Sequence, residues 1–129
     1  MTSYSPYKII AISCSTALSI IYSSIVCAQT NSDNTGGELF TQCSTCHSLK
    51  EGENKIGPSL FHVVDRKAGT SNGFRYSSAI KNSQIIWTKD TLNEFLENPQ
   101  KILPGNRMPY SGMSKEQERF TLIDYLAKQ

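Results

Sequence analysis

The sequence predicts an all-α domain of three main helices joined by long loops, and three observations carry that prediction. Apolar residues recur at helical spacing in three separate stretches, beginning near Gly36, Thr88 and Ser114. No stretch alternates apolar and polar residues in the way a half-buried strand would. Glycine and proline gather between the periodic stretches, as Gly52, Gly57, Pro58, Gly69 and Gly73 in one loop and Pro104, Gly105, Pro109 and Gly112 in the other. Helices this few and short are poorly matched to so much loop. The sequence therefore implies that a large apolar group supplies the missing core.

Residues 1–28 read as an export segment. Met1 to Lys8 is polar with one cation, and the 18 residues from Ile9 to Val26 carry no formal charge. Cleavage is expected after Ala28, in the stretch Val26-Cys27-Ala28. The alternative is a retained membrane anchor, since 18 residues just reach spanning length. Its five serines dilute the segment and favour the cleaved signal. A lipid anchor on Cys27 is disfavoured because Val26 stands where a small residue is expected. Cleavage removes Cys14 and Cys27 and leaves Cys43 and Cys46 as the only thiols of a 101-residue chain (129 − 28).

Residues 29–35 are polar, without periodicity, and read as a flexible leader; residues 36–129 form the domain. The first helix carries Leu39, Phe40 and Cys43 on one face. From Ser48 to Ser83 the chain reads as loop with at most short helical turns. The second main helix follows Thr88, capped by Thr88 or by a Thr91/Glu94 box, presents Leu92, Phe95 and Leu96, and stops at Asn98-Pro99. The last starts at Ser114 in a Ser114/Gln117 capping box and buries Phe120, Ile123 and Leu126, with Leu122 and Tyr125 beside them.

Net charge is +2, from 13 basic and 11 acidic residues, too mild to imply nucleic acid or an anionic membrane surface. The chemistry lies in "CSTCH", residues 43–47. Four sites share this spelling. Structural zinc could draw on Cys43, Cys46, His47 and His62, but the adjacent Cys46 and His47 do not easily ligate one tetrahedral ion. A thioredoxin-like pair requires a strand before it, and a plain disulfide over this span would be strained. Covalent haem fits best: two thiols at i and i+3 face one way on a helical turn, and His47 follows as an iron ligand. A sixth ligand would come from Met108 or Met113, the only two methionines after the export segment, both in the Pro/Gly loop. His62 reads as a loop residue.

The stretches "GELFTQCSTCH", "IGPSLFHVVDRKAG", "FRYSSA", "WTKDTLNEFLENPQKILPGNRM" and "LIDYL" occur in that order. Together they resemble the class I cytochromes c of mitochondria and alphaproteobacteria. The resemblance covers the domain from Gly36 to Lys128 and implies the small cytochrome c fold around one covalently bound haem c. It implies His47 as the proximal ligand, with its ring N–H donated to the carbonyl of Pro58, and Met108 as the distal ligand. Arg66, Tyr76 and Trp87 match positions that solvate the haem propionates. Gly36, Phe40, Leu122 and Tyr125 match the contact between first and last helices. Phe95, Ile80 and Asn106 depart from the polar residues frequent in relatives, which implies a drier, altered hydrogen-bond network beside Met108. Lys55, Lys101, Arg107 and Lys115 match a basic ring at the haem edge, while Gln42, Gln100 and Ser114 replace lysines in it.

The function implied is a one-electron carrier rather than an enzyme, passing electrons from a quinol-oxidising bc-type complex to a terminal oxidase or peroxidase through acidic docking faces. The expected setting is the periplasm of a Gram-negative bacterium, as a monomer, without nucleic acid. Two alternatives stand beside it: a haem enzyme or gas sensor with a labile sixth ligand, and a carrier tethered to the inner membrane facing the periplasm.

Overall fold

Helix α1 (Ser32–Ser44) includes residues that the sequence suggests belong to the leader, so the end of the expected leader is helical in the computed structural model. The structure describes residues 32–129; the export or anchor segment lies outside them. After α1 come α2 (Ser78–Asn82), α3 (Lys89–Glu97), α4 (Pro99–Ile102) and α5 (Glu116–Leu126). Among the described residues the only β-pairing is an isolated bridge, Lys67 with Ile86.

Helix α5 packs against both α1 and α3. The α1–α5 crossing is close because Gly36 has no side chain: a β-carbon there would overlap Cβ of Tyr125 and lie 3.2 Å from the Thr121 carbonyl. One turn on, Phe40 meets the Tyr125 ring at 6.1 Å between centroids. The buried face of α5 is Leu122, Ile123 and Leu126 together with Arg119. Phe120, expected in that stripe, is only half-buried. The stripe is turned because Arg119 is drawn inward, where its guanidinium donates to Asn93 Oδ1 at 2.7 Å and to the carbonyls of Met113 and Ser114 at 2.7 and 2.9 Å. The Ser114/Gln117 capping box does not form. Lys115 occupies the N-cap without a capping bond from its side chain, and Arg119 holds the Ser114 carbonyl and fixes the approach to the helix.

Thr88 caps α3, its hydroxyl accepting from the amide of Thr91, and the alternative Thr91/Glu94 box is not used. Leu92, Phe95 and Leu96 are buried as expected. Asn98-Pro99 ends α3 and in the same step begins α4. The Asn98 side chain accepts from the amide of Lys101, and Pro99 occupies the first turn, where a missing N–H costs nothing. Behind these helices Trp87 packs on Phe95 at 4.8 Å between centroids. Met113 is buried in the core, and its amide donates to the Leu96 carbonyl at 2.8 Å. No helix among the described residues is long and apolar enough to cross a membrane.

Candidate haem site

The last turn of α1 continues past Ser44 as a tight turn. The carbonyl of Cys43 accepts from the amides of Cys46 at 3.0 Å and His47 at 2.9 Å. This i, i+3, i+4 arrangement brings both sulfurs and the imidazole to one cavity of about 460 Å³, within the size range of cofactor sites. Apolar side chains from α3 and α5 form much of its wall, among them Leu92, Phe95, Leu96, Leu122 and Leu126. These five side chains also belong to the buried core, so the cavity opens directly against it.

All eight residues selected from the sequence line this cavity: Cys43, Cys46, His47, Pro58, Arg66, Tyr76, Trp87 and Met108. Met113 and His62 do not. Met113 belongs to the core between α3 and α5, and His62 stacks on Phe61 at 4.1 Å. Of the two loop methionines, Met108 lines the cavity and Met113 does not.

His47 is buried, and its Nδ1 lies 2.7 Å from the Pro58 carbonyl oxygen. A carbonyl only accepts, so Nδ1 carries the hydrogen and Nε2 keeps its lone pair. Burial lowers the His47 pKa and nearby Lys55 lowers it further, against the opposing Pro58 bond. Burial and Lys55 outweigh the Pro58 bond and leave a neutral imidazole suited to a metal. Burial pushes the Cys43 thiol up to about 11, with Cys46 adding to the effect. The two sulfurs are not bonded to each other. Among the described residues no group of three His, Cys, Asp or Glu could hold a metal ion, as the zinc reading would need.

The polar corner of the cavity is built by Arg66. Its two terminal nitrogens donate to the carbonyls of Phe61 at 2.9 Å and Ser59 at 2.8 Å. Burial lowers its pKa while Tyr76 opposes the shift. The Tyr76 hydroxyl accepts from the amide of Ser71 at 3.2 Å. A half-buried guanidinium held by neutral carbonyls, with a phenol beside it, suits the carboxylate edge of a porphyrin. Apolar walls, a neutral imidazole, two thiols in reach of one face and an anion-binding corner are together the donor set of covalent haem, and the residues present fit it.

Of the three departures noted in the sequence, Ile80 and Phe95 line the cavity and offer it no polar atom. Asn106 is buried behind the cavity wall instead. Tyr110, which sequence reasoning passed over, also lines the cavity, and its hydroxyl donates to Gln42 Oε1 at 3.3 Å. Its place two residues after Met108 was the available signal. The basic residues are less free than expected. Lys55 donates to the Ser44 carbonyl, Arg107 to the Arg75 carbonyl, and Lys115 is paired with Glu118 at 2.7 Å.

The cytochrome c family model matches residues 34–129, which spans every element of this site. The chain belongs to the cytochrome c family. A cytochrome c of Stellaria longipes is 48% identical over 93 residues, covering 70% of this chain and 86% of that protein. Cytochrome c2 of Rhodopila globiformis is 47% identical over 92 residues, covering 70% and 87%. The solved structure of cytochrome cH from Methylobacterium extorquens superposes with a TM-score of 0.72 at 33% identity, covering 75% of this chain and 98% of that one. Cytochromes c are electron carriers with covalently bound haem c, and Cys43 and Cys46 occupy the attachment positions of that cofactor here. The small all-α fold expected from the sequence is the fold of the family.

Proposed function

We propose that this cytochrome c is a diffusible periplasmic carrier whose haem iron is held by His47 Nε2 and Met108 Sδ. The observation that carries the proposal is that one cavity contains an imidazole whose other nitrogen is already committed to Pro58 and a single methionine thioether, that of Met108. When bound, haem supplies a one-electron ferrous/ferric couple. Cys43 and Cys46 anchor it as thioethers, so neither sulfur titrates once attached. The apolar walls exclude water and favour the state with lower net charge, while Arg66, Tyr76 and Trp87 hold the propionate edge. With His47 and Met108 both holding the iron, no coordination site would be left for substrate, and the protein would act as a monomeric carrier rather than an enzyme.

The partners proposed are a quinol-oxidising bc-type complex as donor and a terminal oxidase or peroxidase as acceptor, met through acidic surfaces by the edge carrying Lys55, Lys101 and Arg107. Periplasmic placement accords with the export-like segment and with the bacterial cytochrome c2 among the relatives. The test is an absorption spectrum with an intact mass of the protein purified from its native compartment. A ferric iron–sulfur charge-transfer band that disappears in Met108→Ala supports the ligand set; a band that survives the substitution refutes it. A mass that retains residues 1–28 would instead make the protein a tethered carrier.

A further inference from the structure

Asn106 is buried, with 5% exposure, and uses its whole side chain. Its Nδ2 donates to the carbonyls of Pro99 at 2.9 Å and Leu103 at 2.8 Å, at the two ends of the α4 turn. Its Oδ1 accepts from the amide of Met108 at 2.9 Å. Its own backbone is fixed on both sides: the amide donates to the Leu103 carbonyl at 3.1 Å, and the carbonyl accepts from Gln100 Nε2 at 3.1 Å. One side chain therefore connects α4 to the peptide that carries the Met108 thioether. A hydroxyl at this position has one donor and could not hold both carbonyls.

We propose that Asn106 is the positioning residue for Met108: it holds the loop in the conformation that keeps the thioether in the cavity and so sets how easily another ligand displaces it. The inference rests on Met108 being the distal ligand. Swinging Met108 out would move its peptide away from the buried Asn106 Oδ1 and break that bond. The bond exists only in the closed loop, so its removal raises the population of the open loop by its own stabilising energy. An incoming ligand binds the open form, and its apparent affinity rises by the same factor.

The test is titration of the ferric holoprotein with imidazole, followed in the Soret and charge-transfer bands, for wild type, Asn106→Ala, Asn106→Thr, Asn93→Ala and Met108→Ala. Asn93→Ala also removes the partner of a buried donor, Arg119 Nε, but at the α3–α5 contact; it reports what general destabilisation does. Asn106→Ala is expected to bind imidazole about tenfold more tightly than Asn93→Ala of matched unfolding midpoint. Asn106→Thr, which keeps one donor and one acceptor, is expected to shift the same way by a smaller factor. Equal affinities in the Asn106 and Asn93 variants would overturn the proposal. Met108→Ala binding no tighter than wild type would remove Met108 as the ligand, a separate result that takes the proposal with it.

Discussion

The ring of His47 fills the space that a side chain at Gly57 would need. A β-carbon there would overlap Cε1 and stand 2.7 Å from Nδ1, the atom bonded to Pro58. The glycine is set by the imidazole rather than by its own backbone, since the ring cannot retreat without giving up the Pro58 carbonyl. Gly57→Ala is expected to cost about 2 kcal/mol and to shift the ligand-sensitive bands. A denaturant titration and an absorption spectrum of the holoprotein check both; a loss of stability with unchanged bands would mean that the strain is taken up elsewhere.

Tyr110 and Gln42 are separated by 68 residues and joined by one hydrogen bond at the cavity rim. Burial raises the Tyr110 pKa above its ordinary value, with the neighbouring Cys43 and Glu118 adding to it. The Cys43 contribution ends when that sulfur becomes a thioether, leaving burial as the main cause. A raised pKa means that the neutral phenol is favoured in the fold. Its contribution to stability is thus complete below about pH 10 and lost as pH rises through the folded value. Tyr110→Phe should cost about 1 kcal/mol or less at neutral pH and flatten the stability profile above about pH 10. Denaturation midpoints of both proteins across that range give the comparison.

Asp65 adopts φ +62°, and its amide donates to the Trp87 carbonyl at 2.9 Å. An exposed aspartate in the left-handed region is held there by the loop against its own preference. Asp65→Gly removes the strain and gives back part of it as chain entropy in the unfolded state. A net gain of up to about 1 kcal/mol is expected, read as a higher unfolding midpoint.

Lys101 is exposed and lies on the edge proposed to meet acidic partners. Lys101→Glu should slow electron transfer to an acidic partner several-fold at low ionic strength. The difference should shrink toward nothing as salt is raised. Stopped-flow rates over a salt series measure it, and a salt-independent difference would place the effect outside docking.

Leu92, Phe95, Leu96, Leu122 and Leu126 belong to the core and also line the cavity, so removal of the haem takes away the partner they pack on there. The haem-free chain should lose cooperative unfolding and most of its helicity, because cofactor binding and folding are coupled. Calorimetry and circular dichroism of the apoprotein test this.

The three main helices were legible from their periodic apolar residues and the Cys43, Cys46 and His47 corner of the cavity from its spacing, whereas Pro58, Arg66, Tyr76 and Trp87 were reached only through the family resemblance. Helix ends were harder. Thr88 announces α3 by its own hydroxyl, but α5 takes its register from Arg119, whose partners Asn93, Met113 and Ser114 are brought together only by the fold. Asn106 shows the same limit. Its sequence position marked it as a departure, yet three hydrogen bonds to Pro99, Leu103 and Met108 depend on α4, a turn that Pro99 had seemed to exclude. Short polar side chains leave no periodic trace, so their work emerges only in three dimensions.

The crossing of α1 and α5 has a further consequence. Gly36, one turn into α1, touches Tyr125, four residues from the end of the chain. The described residues, 32–129, therefore come close to a closed ring, with its seam at the clasp between first and last helices. A circularly permuted chain, joined across that seam by a short linker and opened in an exposed loop, would keep every wall of the cavity while changing the order in which the walls are made.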